Sequence, residues 1–419
     1  MTVLISGAGI GGLSLALSLH QVGIACQIFE AVPQIKPLGV GINLQPHAVR
    51  ELAELGLLAE LDQIALRTKE VVYASAQGGK IWAEPRGIDA GYKWPQFSIH
   101  RGKLQMLLFK AVQERLGASG IVTGHKVIDW HETQNGVEII LKDRKSGAER
   151  RKPGAVFIAA DGIHSTARAQ LYPDEGAPVW GGIVMWRGVT HGPRFLSGRS
   201  MAMIGEKKRK FVCYPISDTP DGSVINWICD LQFPADYLWS REDWNRPGNL
   251  VDFLPKFKNW DFDWLNVPKI IQDARHIFEF PMIDRDPLPR WSHGRMTLLG
   301  DAAHPMYPIG SNGASQAILD ARMLAREIRA LGSAPDALHS YEAERRPVTS
   351  AIVLANRGDG PDKVMDIVAK RAPDGFEEIT DILSQDELEN TANAYKKTAG
   401  MDVDTLNTRA SIISPRKQP

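Results

Sequence analysis

The amino terminus carries the feature that most constrains the fold: two apolar runs separated by a glycine-rich turn. Residues 3–6 lead directly into the motif GAGIGG at 7–12, and a second run, 25–29, ends at Glu30. A strand, a glycine turn, a helix and a strand with a terminal acid form the βαβ unit that binds dinucleotides. The glycines admit a pyrophosphate at the start of the helix, and the acid accepts hydrogen bonds from a ribose. The sequence therefore predicts an α/β chain that begins with a Rossmann-like unit.

Two later apolar runs also end in an acid. Residues 155–160 precede Asp161, and residues 296–300 precede Asp301. Ligands of parallel sheets sit at the carboxyl ends of the strands, so we expect Glu30 and these two aspartates to converge on one crevice. After Asp301 come a loop rich in proline and glycine and then a long helix, which suits an anionic, hydroxyl-rich ligand. We interpret that ligand as the ribityl chain and pyrimidine edge of a flavin.

The middle of the chain changes character. From about 176 to 284 it consists of short alternating runs, and seven of the eleven tryptophans lie between 180 and 264. Alternation over short runs is typical of half-buried strands. The sequence therefore predicts a largely antiparallel sheet, inserted between Asp161 and Asp301, that covers the ligand with an aromatic wall.

Alternation along these strands also suggests which side chains face a substrate. On a regular strand Arg187 points away from its neighbour Trp186, so we do not assign it to a substrate carboxylate. Each tryptophan has the alternative of packing in the core. The candidate substrate residues are Trp186, Met203, Tyr214 and Trp227, joined near the ligand by Met306 and Tyr307.

Composition excludes several classes of function. Lys plus Arg equal Asp plus Glu at 49 each, which argues against nucleic acid or an anionic membrane as partner. The cysteines, Cys26, Cys213 and Cys229, are odd in number without a CxxC motif, which favours a reducing compartment and no metal site. The apolar segment 3–19 is too short to span a membrane. We expect a cytoplasmic monomer or homodimer.

Three segments in this order, 7–12 (GAGIGG), 159–168 (AADGIHSTAR) and 299–314 (LGDAAHPMYPIGSNGA), resemble the single-component FAD-dependent aromatic hydroxylases. The resemblance covers roughly residues 1–357, and no motif of the last sixty or so residues matches. It implies non-covalent FAD, NADH or NADPH as cosubstrate, molecular oxygen, and an aromatic substrate hydroxylated through a C4a-hydroperoxyflavin. Within the family the likeness is to phenazine carboxylate hydroxylases, through PLGVGINLQP at 37–46, EPRGIDAG at 84–91, PQFSIHRGKLQM at 95–106, MWRGVT at 185–190 and FPMIDRDPLPRW at 280–291.

The resemblance also implies roles for individual residues. The loop beside the reactive flavin edge, which the family uses in catalysis, corresponds to Pro308, Ile309 and Gly310. No residue is implied as a metal ligand. The implied cofactor-binding residues are Gly7, Gly9, Gly11, Gly12, Glu30, Val40, Gly41, Arg101, Gln105, Val127, Asp161, Asp301, Gly310, Ser311, Asn312 and Gly313.

The expected architecture is α/β: a Rossmann-like FAD-binding domain with an inserted, mostly antiparallel β-sheet substrate domain and C-terminal helices. The expected FAD-binding parts are 1–69, 101–175 and 285–357, the substrate sheet comprises 70–100 and 176–284, and 358–419 form a C-terminal tail. Since one GxGxxG motif accounts for one dinucleotide, we expect no separate NAD(P)H domain.

The expected reaction is hydroxylation of a fused-ring or N-heteroaromatic acid, with or without loss of its carboxyl group. Two alternatives stay open. One is a salicylate-type hydroxylase that acts on a single ring, and the other is a non-catalytic flavoprotein that sequesters an aromatic metabolite.

Overall fold

The computed structural model describes residues 2–37, 39–234, 236–237, 246–358, 362–398 and 400–414. Its strands are, in chain order, β1 (Val3–Ser6), β2 (Cys26–Glu30), β3 (Gly41–Leu44), β4 (Ala65–Thr68), β5 (Glu70–Ala74), β6 (Lys80–Pro85), β7 (Gln96–His100), β8 (Ile121–Thr123), β9 (His125–Thr133), β10 (Gly136–Asp143), β11 (Glu149–Gly154), β12 (Val156–Ala159), β13 (Val179–Gly192), β14 (Ser200–Glu206), β15 (Arg209–Thr219), β16 (Gly222–Gln232), β17 (Asp261–Phe262), β18 (Leu265–Asn266), β19 (Ile277–Asp284), β20 (Ser292–His293) and β21 (Met296–Leu298).

Its α-helices are α1 (Ile10–Gln21), α2 (Pro46–Glu54), α3 (Leu58–Ile64), α4 (Arg101–Leu116), α5 (Thr166–Leu171), α6 (Leu250–Phe257), α7 (Val267–Gln272), α8 (Gly313–Leu331), α9 (Pro335–Arg357), α10 (Lys363–Arg371), α11 (Gln385–Thr398) and α12 (Val403–Thr408).

A six-stranded sheet contains the amino-terminal motif. Its order is β20-β21-β12-β1-β2-β8, and every pair is parallel except β20 with β21. All side chains of β1 and β12 are buried, as expected for central strands with helices on both faces. Helix α1 follows β1 directly and packs against α4 and α8. This arrangement confirms the predicted Rossmann-like unit.

A seven-stranded sheet forms the second layer. Its order is β19-β13-β16-β15-β14-β5-β6, and its pairs are antiparallel apart from β14 with β5. Strands β5 and β6 come from an early hairpin, whereas the other five follow Asp161 in the chain. The predicted inserted, mostly antiparallel sheet is therefore confirmed.

The two faces of this sheet have different partners. One face packs against α6 and α7 through an aromatic core that includes Trp186, Phe211, Trp227 and Phe253. On the other face, the methionines of β14 contact α10 and part of that face borders a large cavity.

Two three-stranded sheets complete the fold. Strands β3, β7 and β4 form an antiparallel sheet beside β15, and β9, β10 and β11 form another. Strand β7 lies within the range 70–100 but pairs with β3 and β4 rather than with the seven-stranded sheet. The exact division of the chain into domains stays a prediction.

The predicted C-terminal helices are confirmed and pack on the body of the protein. Val364, Met365 and Val368 of α10 belong to the same hydrophobic cluster as Met203 of β14. Further along, Arg409 pairs with Glu51 of α2 at 3.1 Å. The segment after α9 is thus part of the folded unit.

Candidate active site

A cavity of about 610 Å³ extends between the six-stranded and seven-stranded sheets. The three acids predicted to converge, Glu30, Asp161 and Asp301, all line it. Glu30 is the last residue of β2, and the two aspartates follow β12 and β21. The parallel course of these strands places their carboxyl ends at one edge of the sheet.

The amino-terminal turn forms one end of this cavity. Gly7 has φ +97°, and a Cβ there would lie 2.4 Å from the carbonyl oxygen of Ala160. A Cβ at Gly12 would lie 2.1 Å from the carbonyl oxygen of Gly7, so Gly12 serves the packing of the turn and does not line the cavity. Gly9 and Gly11 line it, and α1 has no acid in its first turn. The start of α1 therefore suits a phosphate.

The acids present oxygen atoms that suit the hydroxyls of a nucleotide. Glu30 is held by the backbone, because its Oε2 accepts from Ala8 N at 2.7 Å and its Oε1 from Val32 N at 2.9 Å. Asp161 Oδ2 accepts from Thr166 N at 3.0 Å, while its buried Oδ1 has no hydrogen-bond partner among the described residues. Burial raises the pKa of Asp161. A buried acceptor of this kind requires a donor from a ligand.

Asp301 is exposed to the cavity, and desolvation by the surrounding protein raises its pKa. Its turn is held by Asp320 of α8, whose Oδ2 accepts from Gly300 N at 3.2 Å and lies 2.5 Å from His304 Nε2. Arg345 Nε donates to Asp320 Oδ1 at 2.6 Å. Although burial opposes it, these two neighbours lower the pKa of Asp320 to about 2. No local sequence pattern marks Asp320, which the sequence reasoning missed.

The loop before α8 lies along the cavity. Gly310 and Ser311 have positive φ, at +71° and +55°, and Gln45 Nε2 donates to Gly310 O at 3.3 Å. Helix α8 has no acid in its first turn, so its start favours negative charge nearby. The loop residues that line the cavity are Pro308, Ile309, Gly310, Ser311, Asn312 and Gly313.

Arg101, Gln105 and Val127 also line the cavity, and Gln105 Nε2 donates to Ala8 O at 2.8 Å. Val40 does not line it; its carbonyl oxygen accepts from Arg101 N at 2.9 Å and its side chain is buried. Gly41 does line it, and a Cβ there would lie 2.7 Å from the Asn226 side chain. Only a glycine permits this approach without displacing a neighbour.

Of the predicted substrate residues, Met203, Tyr214, Met306 and Tyr307 line the cavity. Trp186 and Trp227 do not, which corrects the prediction for these two residues.

Both tryptophans lie on the opposite face of the seven-stranded sheet. The Trp186 ring stacks on Phe253 with 4.9 Å between ring centroids, and Trp227 Nε1 donates to Thr190 Oγ1 at 2.9 Å. Alternation separates the two faces of a strand, but α6 and α7 decide which face is covered.

Arg187 was not assigned to the site, yet it lines the cavity. Its Nη2 donates to Gly41 O at 3.0 Å, and its buried Nε has no hydrogen-bond partner among the described residues. It also interacts with Tyr214, although burial lowers its pKa. The prediction had Trp186 facing the cavity, and alternation along the strand then placed Arg187 on the opposite face. Because Trp186 lies in the core instead, the same alternation places Arg187 in the cavity.

Sequence reasoning also missed polar residues within otherwise apolar strands and after α9. Asn226 Oδ1 accepts from Gly41 N at 2.6 Å. Lys210, Asp230 and Asp362 line the cavity further along the same sheet. Charged residues in the apolar runs of β15 and β16 are a signal that could have identified Lys210 and Asp230. Asp362 has no such signal.

Across the described ranges, no helix has the length and apolarity needed to cross a membrane. In the same part of the chain, no group of three or more His, Cys, Asp or Glu side chains is arranged to hold a metal ion.

The fold and the cavity define a dinucleotide-binding flavoprotein with a second sheet beside its ligand edge, and comparisons with known proteins agree. The FAD binding domain family matches residues 1–227 and 275–356. Phenazine 1,6-dicarboxylic acid hydroxylase PhzS of Lysobacter antibioticus is 46% identical over 361 residues, which cover 85% of this chain and 89% of that protein.

Two more distant similarities extend the comparison. Aurachin C monooxygenase/isomerase of Stigmatella aurantiaca is 31% identical over 82% of this chain and 85% of its own. The structure of Klebsiella pneumoniae HpxO complexed with FAD and uric acid shares the fold, with a TM-score of 0.74 and 24% identity over 97% of this chain and 96% of that one.

The chain therefore belongs to the FAD-dependent aromatic hydroxylases, the single-component flavoprotein monooxygenases. FAD is its cofactor, NAD(P)H its reductant, and its substrate is aromatic. The residues present fit FAD, because the glycine turn leaves space for a phosphate and Asp161 presents a buried oxygen that lacks a donor among the residues that the structure describes.

Proposed function

We propose that the enzyme hydroxylates a fused-ring aromatic or N-heteroaromatic carboxylic acid, with or without loss of the carboxyl group. The observation that carries this proposal is Arg187, a cation that faces the cavity beside Gly41 with a buried Nε lacking a partner among the described residues. The 46% identity to a phenazine dicarboxylic acid hydroxylase supports the same substrate class.

A carboxylate on the substrate matches the chemistry of Arg187. A guanidinium binds a carboxylate through two parallel hydrogen bonds, and such bonds are stronger than neutral ones. In the cross-strand row of this cation the cavity face of the sheet is apolar, with Ile228, Val212 and Met203. A cavity with a cation at one end and apolar side chains beyond it suits a flat carboxylic acid that is larger than a single ring.

When bound, FAD would supply the redox chemistry, namely hydride uptake from NAD(P)H and activation of oxygen, of which one atom would enter the ring and the other leave as water. The residues of the chain provide the surroundings. The Pro308–Gly310 loop, held by Gln45, presents backbone groups to the cavity. The start of α8 stabilises negative charge, by on the order of 1 kcal/mol. The apolar side chains exclude water.

Where the ring carbon under attack carries the carboxylate, hydroxylation and decarboxylation are one sequence. The new C–O bond forms, the C–C bond to the carboxylate breaks, and its electron pair returns to the ring as carbon dioxide leaves. The phenol then results without a protein nucleophile.

The substrate class is tested by measuring NADH oxidation by the FAD-loaded enzyme with phenazine, quinoline and salicylate acids, and by identifying products by mass. Fused-ring acids should stimulate oxidation and gain one oxygen atom or exchange a carboxyl for a hydroxyl group. A preference for salicylate over every fused-ring acid would contradict the proposed substrate. Binding without any product would favour the sequestering flavoprotein.

Arg187→Met tests the anchor of the carboxylate. Loss of charged hydrogen bonds worth about 1.5–3 kcal/mol should raise KM for the acid roughly 10- to 100-fold. Arg199→Gln is the matched control, because Arg199 pairs with the exposed Asp218 at 2.7 Å and does not line the cavity. An unchanged KM in Arg187→Met would remove Arg187 from substrate binding.

We further propose that Glu30, Asp161 and Asp301 hold FAD through its hydroxyl groups. Asp301→Ala should then purify with little FAD while its circular dichroism stays native. Asp174→Ala is the control, since Asp174 is exposed and lies outside the cavity. A variant at Asp301 that retains the normal flavin-to-protein absorbance ratio would contradict this role.

The remaining proposals concern the reductant, the domains and the compartment. NADH should serve at least as well as NADPH, binding transiently in a groove shared with FAD, because a second GxGxxG motif is absent from the sequence. The FAD-binding parts would be 1–69, 101–175 and 285–357. Three free cysteines support a cytoplasmic location.

A further inference from the structure

The cavity face of the seven-stranded sheet is built from side chains in cross-strand rows. From the end nearest Gly41 outward, the pairs are Tyr214 with Asn226, Val212 with Ile228, and Lys210 with Asp230. Tyr214 and Lys210 are four residues apart on β15, which corresponds to about 13 Å along the strand. The backbone of Arg187 pairs with Ile228 of the second row, but its guanidinium reaches the first row through Gly41 O and Tyr214. The third row therefore lies two rows beyond that guanidinium along β15.

That far end holds a buried group of charges, here called the distal cluster: Lys210, Asp230 and Asp362. Lys210 Nζ lies 3.3 Å from Asp230 Oδ2 and also contacts Asp362 Oδ2. Although burial opposes it, the two aspartates raise the pKa of Lys210, so this side chain is charged. Lys210 therefore faces two carboxyl groups, and the neighbouring Glu84–Arg86 ion pair adds no net charge. Arg187 also attracts Asp230, but the first carboxylate of the substrate matches the charge of Arg187.

Each aspartate of the distal cluster has an oxygen atom without a partner. Asp230 Oδ1 and Asp362 Oδ1 are buried and have no hydrogen bond within the described part of the chain. The side chain of Asp230 is 4% exposed, and both aspartates line the cavity. Buried acceptors in native proteins are almost always satisfied, so these oxygens point to a donor that comes from a ligand.

We propose that the distal cluster binds a hydrogen-bond donor on the ring of the substrate farthest from Arg187, namely a hydroxyl, amino or ring N–H group, and that it disfavours a second carboxylate there. This proposal rests on the proposed function, in which Arg187 holds the first carboxylate. A second carboxylate would add an anion to a cluster that already has one carboxyl group in excess. A donor would satisfy the free oxygen atoms.

The segment after α9 acquires a role through this cluster. Asp362 lies just before α10, which packs on β14, and Met401 lines the cavity as well. The Tyr92 hydroxyl donates to Met401 O, and Lys93 Nζ donates to Asn407 O at 2.9 Å. These contacts fix the segment against the body of the protein. The part of the chain that matched no family motif thus completes the far end of the substrate cavity.

The test is a set of dissociation constants for the FAD-loaded protein without NADH, read from the change in flavin absorbance. The ligands are phenazine-1-carboxylate, its derivatives with a hydroxyl or amino group on the far ring, phenazine-1,6-dicarboxylate, unsubstituted phenazine and a hydroxyphenazine. The hydroxyl or amino derivatives should bind about tenfold or more tightly than phenazine-1-carboxylate, as expected for a hydrogen bond to a charged group. The dicarboxylate should bind more weakly than they do.

Asp362→Asn should reduce the affinity of the hydroxyl and amino derivatives relative to phenazine-1-carboxylate. In the double variant Asp230→Asn, Asp362→Asn no carboxylate opposes the charge of Lys210, so the dicarboxylate should become the preferred ligand. Asp366→Asn is the matched control on α10, since Asp366 accepts from Lys207 N at 2.8 Å and does not line the cavity. This control should keep the wild-type preference. A merely structural role for Asp362 would weaken all ligands equally, which would overturn the proposal.

Two ratios separate this proposal from the proposed function. The affinity of phenazine-1-carboxylate relative to phenazine reports on the carboxylate anchor, and that of hydroxyphenazine relative to phenazine reports on the distal donor. Equal affinities in the second pair, or tightest binding of the dicarboxylate by the wild-type protein, would overturn the distal assignment. Both results can be read from the wild-type protein even where a variant fails to fold.

Discussion

The two faces of the seven-stranded sheet differ more than their shared strands suggest. On β13, Trp186 packs in an aromatic core against α6, and its neighbour Arg187 lines the cavity. On β16, Trp227 and Ile225 are fully buried in that core, while Ile228 and Asp230 face the cavity. One face consists of large apolar rings, and the other combines apolar side chains with buried charges.

This difference separates stability from specificity along a single strand. Burial of an aromatic side chain stabilises a fold, whereas a buried charge without a full set of partners costs stability and is retained where it binds something. Substitutions at successive positions of a strand should therefore have different effects. Those on the core face should lower the free energy of unfolding, and those on the cavity face should change ligand affinity.

The largest effect on stability is expected from Trp227→Ala. Trp227 is fully buried and donates to Thr190 Oγ1, so its removal leaves a cavity and one hydrogen bond fewer at a hydroxyl that still donates to Ile270 O. The free energy of unfolding should fall by about 3–5 kcal/mol. Urea denaturation followed by circular dichroism measures it. A loss below about 1 kcal/mol would mean that the aromatic core does not stabilise this sheet.

A matched pair of isoleucines on β16 sharpens the comparison. Ile225 is fully buried in the aromatic core, and Ile228 lines the cavity. Ile225→Ala should cost about 2–5 kcal/mol of unfolding free energy with an unchanged substrate KM, because its neighbours cannot fill the space. Ile228→Ala should cost less, since its side chain already borders a cavity, and it should change KM.

Both isoleucine variants require two measurements, urea denaturation and the KM for the best fused-ring acid. Equal losses of stability with equal changes in KM would show that the two faces are not functionally distinct.

A smaller effect on stability is expected from Gly41→Ala, where the cavity face meets β3. The added Cβ would lie 2.7 Å from the Asn226 side chain and 2.9 Å from Tyr214 Cε2, so both must shift. Overpacking of this kind costs about 1–3 kcal/mol. The KM should rise, and the free energy of unfolding should fall by this amount, which is less than for Trp227→Ala. Wild-type kinetics in Gly41→Ala would show that this close approach has no part in the site.

Local patterns allowed much of the cofactor half to be predicted. The glycine turn and the acids at the carboxyl ends of β2, β12 and β21 are each encoded in a few consecutive residues, so the crevice followed from the sequence. The same patterns did not reveal that Gly12 supports the turn while Gly9 lines the cavity. That distinction depends on contacts with Gly7 O, which only the folded turn creates.

The substrate half was predicted less well, for a physical reason. The strands of the inserted sheet and their alternation were evident, since a period of two is a local property. Alternation predicts that Trp186 and Arg187 point in opposite directions, but it does not predict which of them faces the ligand. Helices α6 and α7, up to some eighty residues further along, cover one face and so decide the matter.

By itself, then, the sequence determined the α/β class, the amino-terminal dinucleotide motif, the inserted sheet and the position of three acids at strand ends. Tertiary structure alone decided that Arg187 lies in the cavity, that Asp320 holds the Asp301 turn, and that Asp362 joins Lys210 at its far end. The physical reason is sequence distance. The first set depends on neighbouring residues, whereas Lys210 and Asp362 are 152 residues apart and meet only because α10 packs on β14.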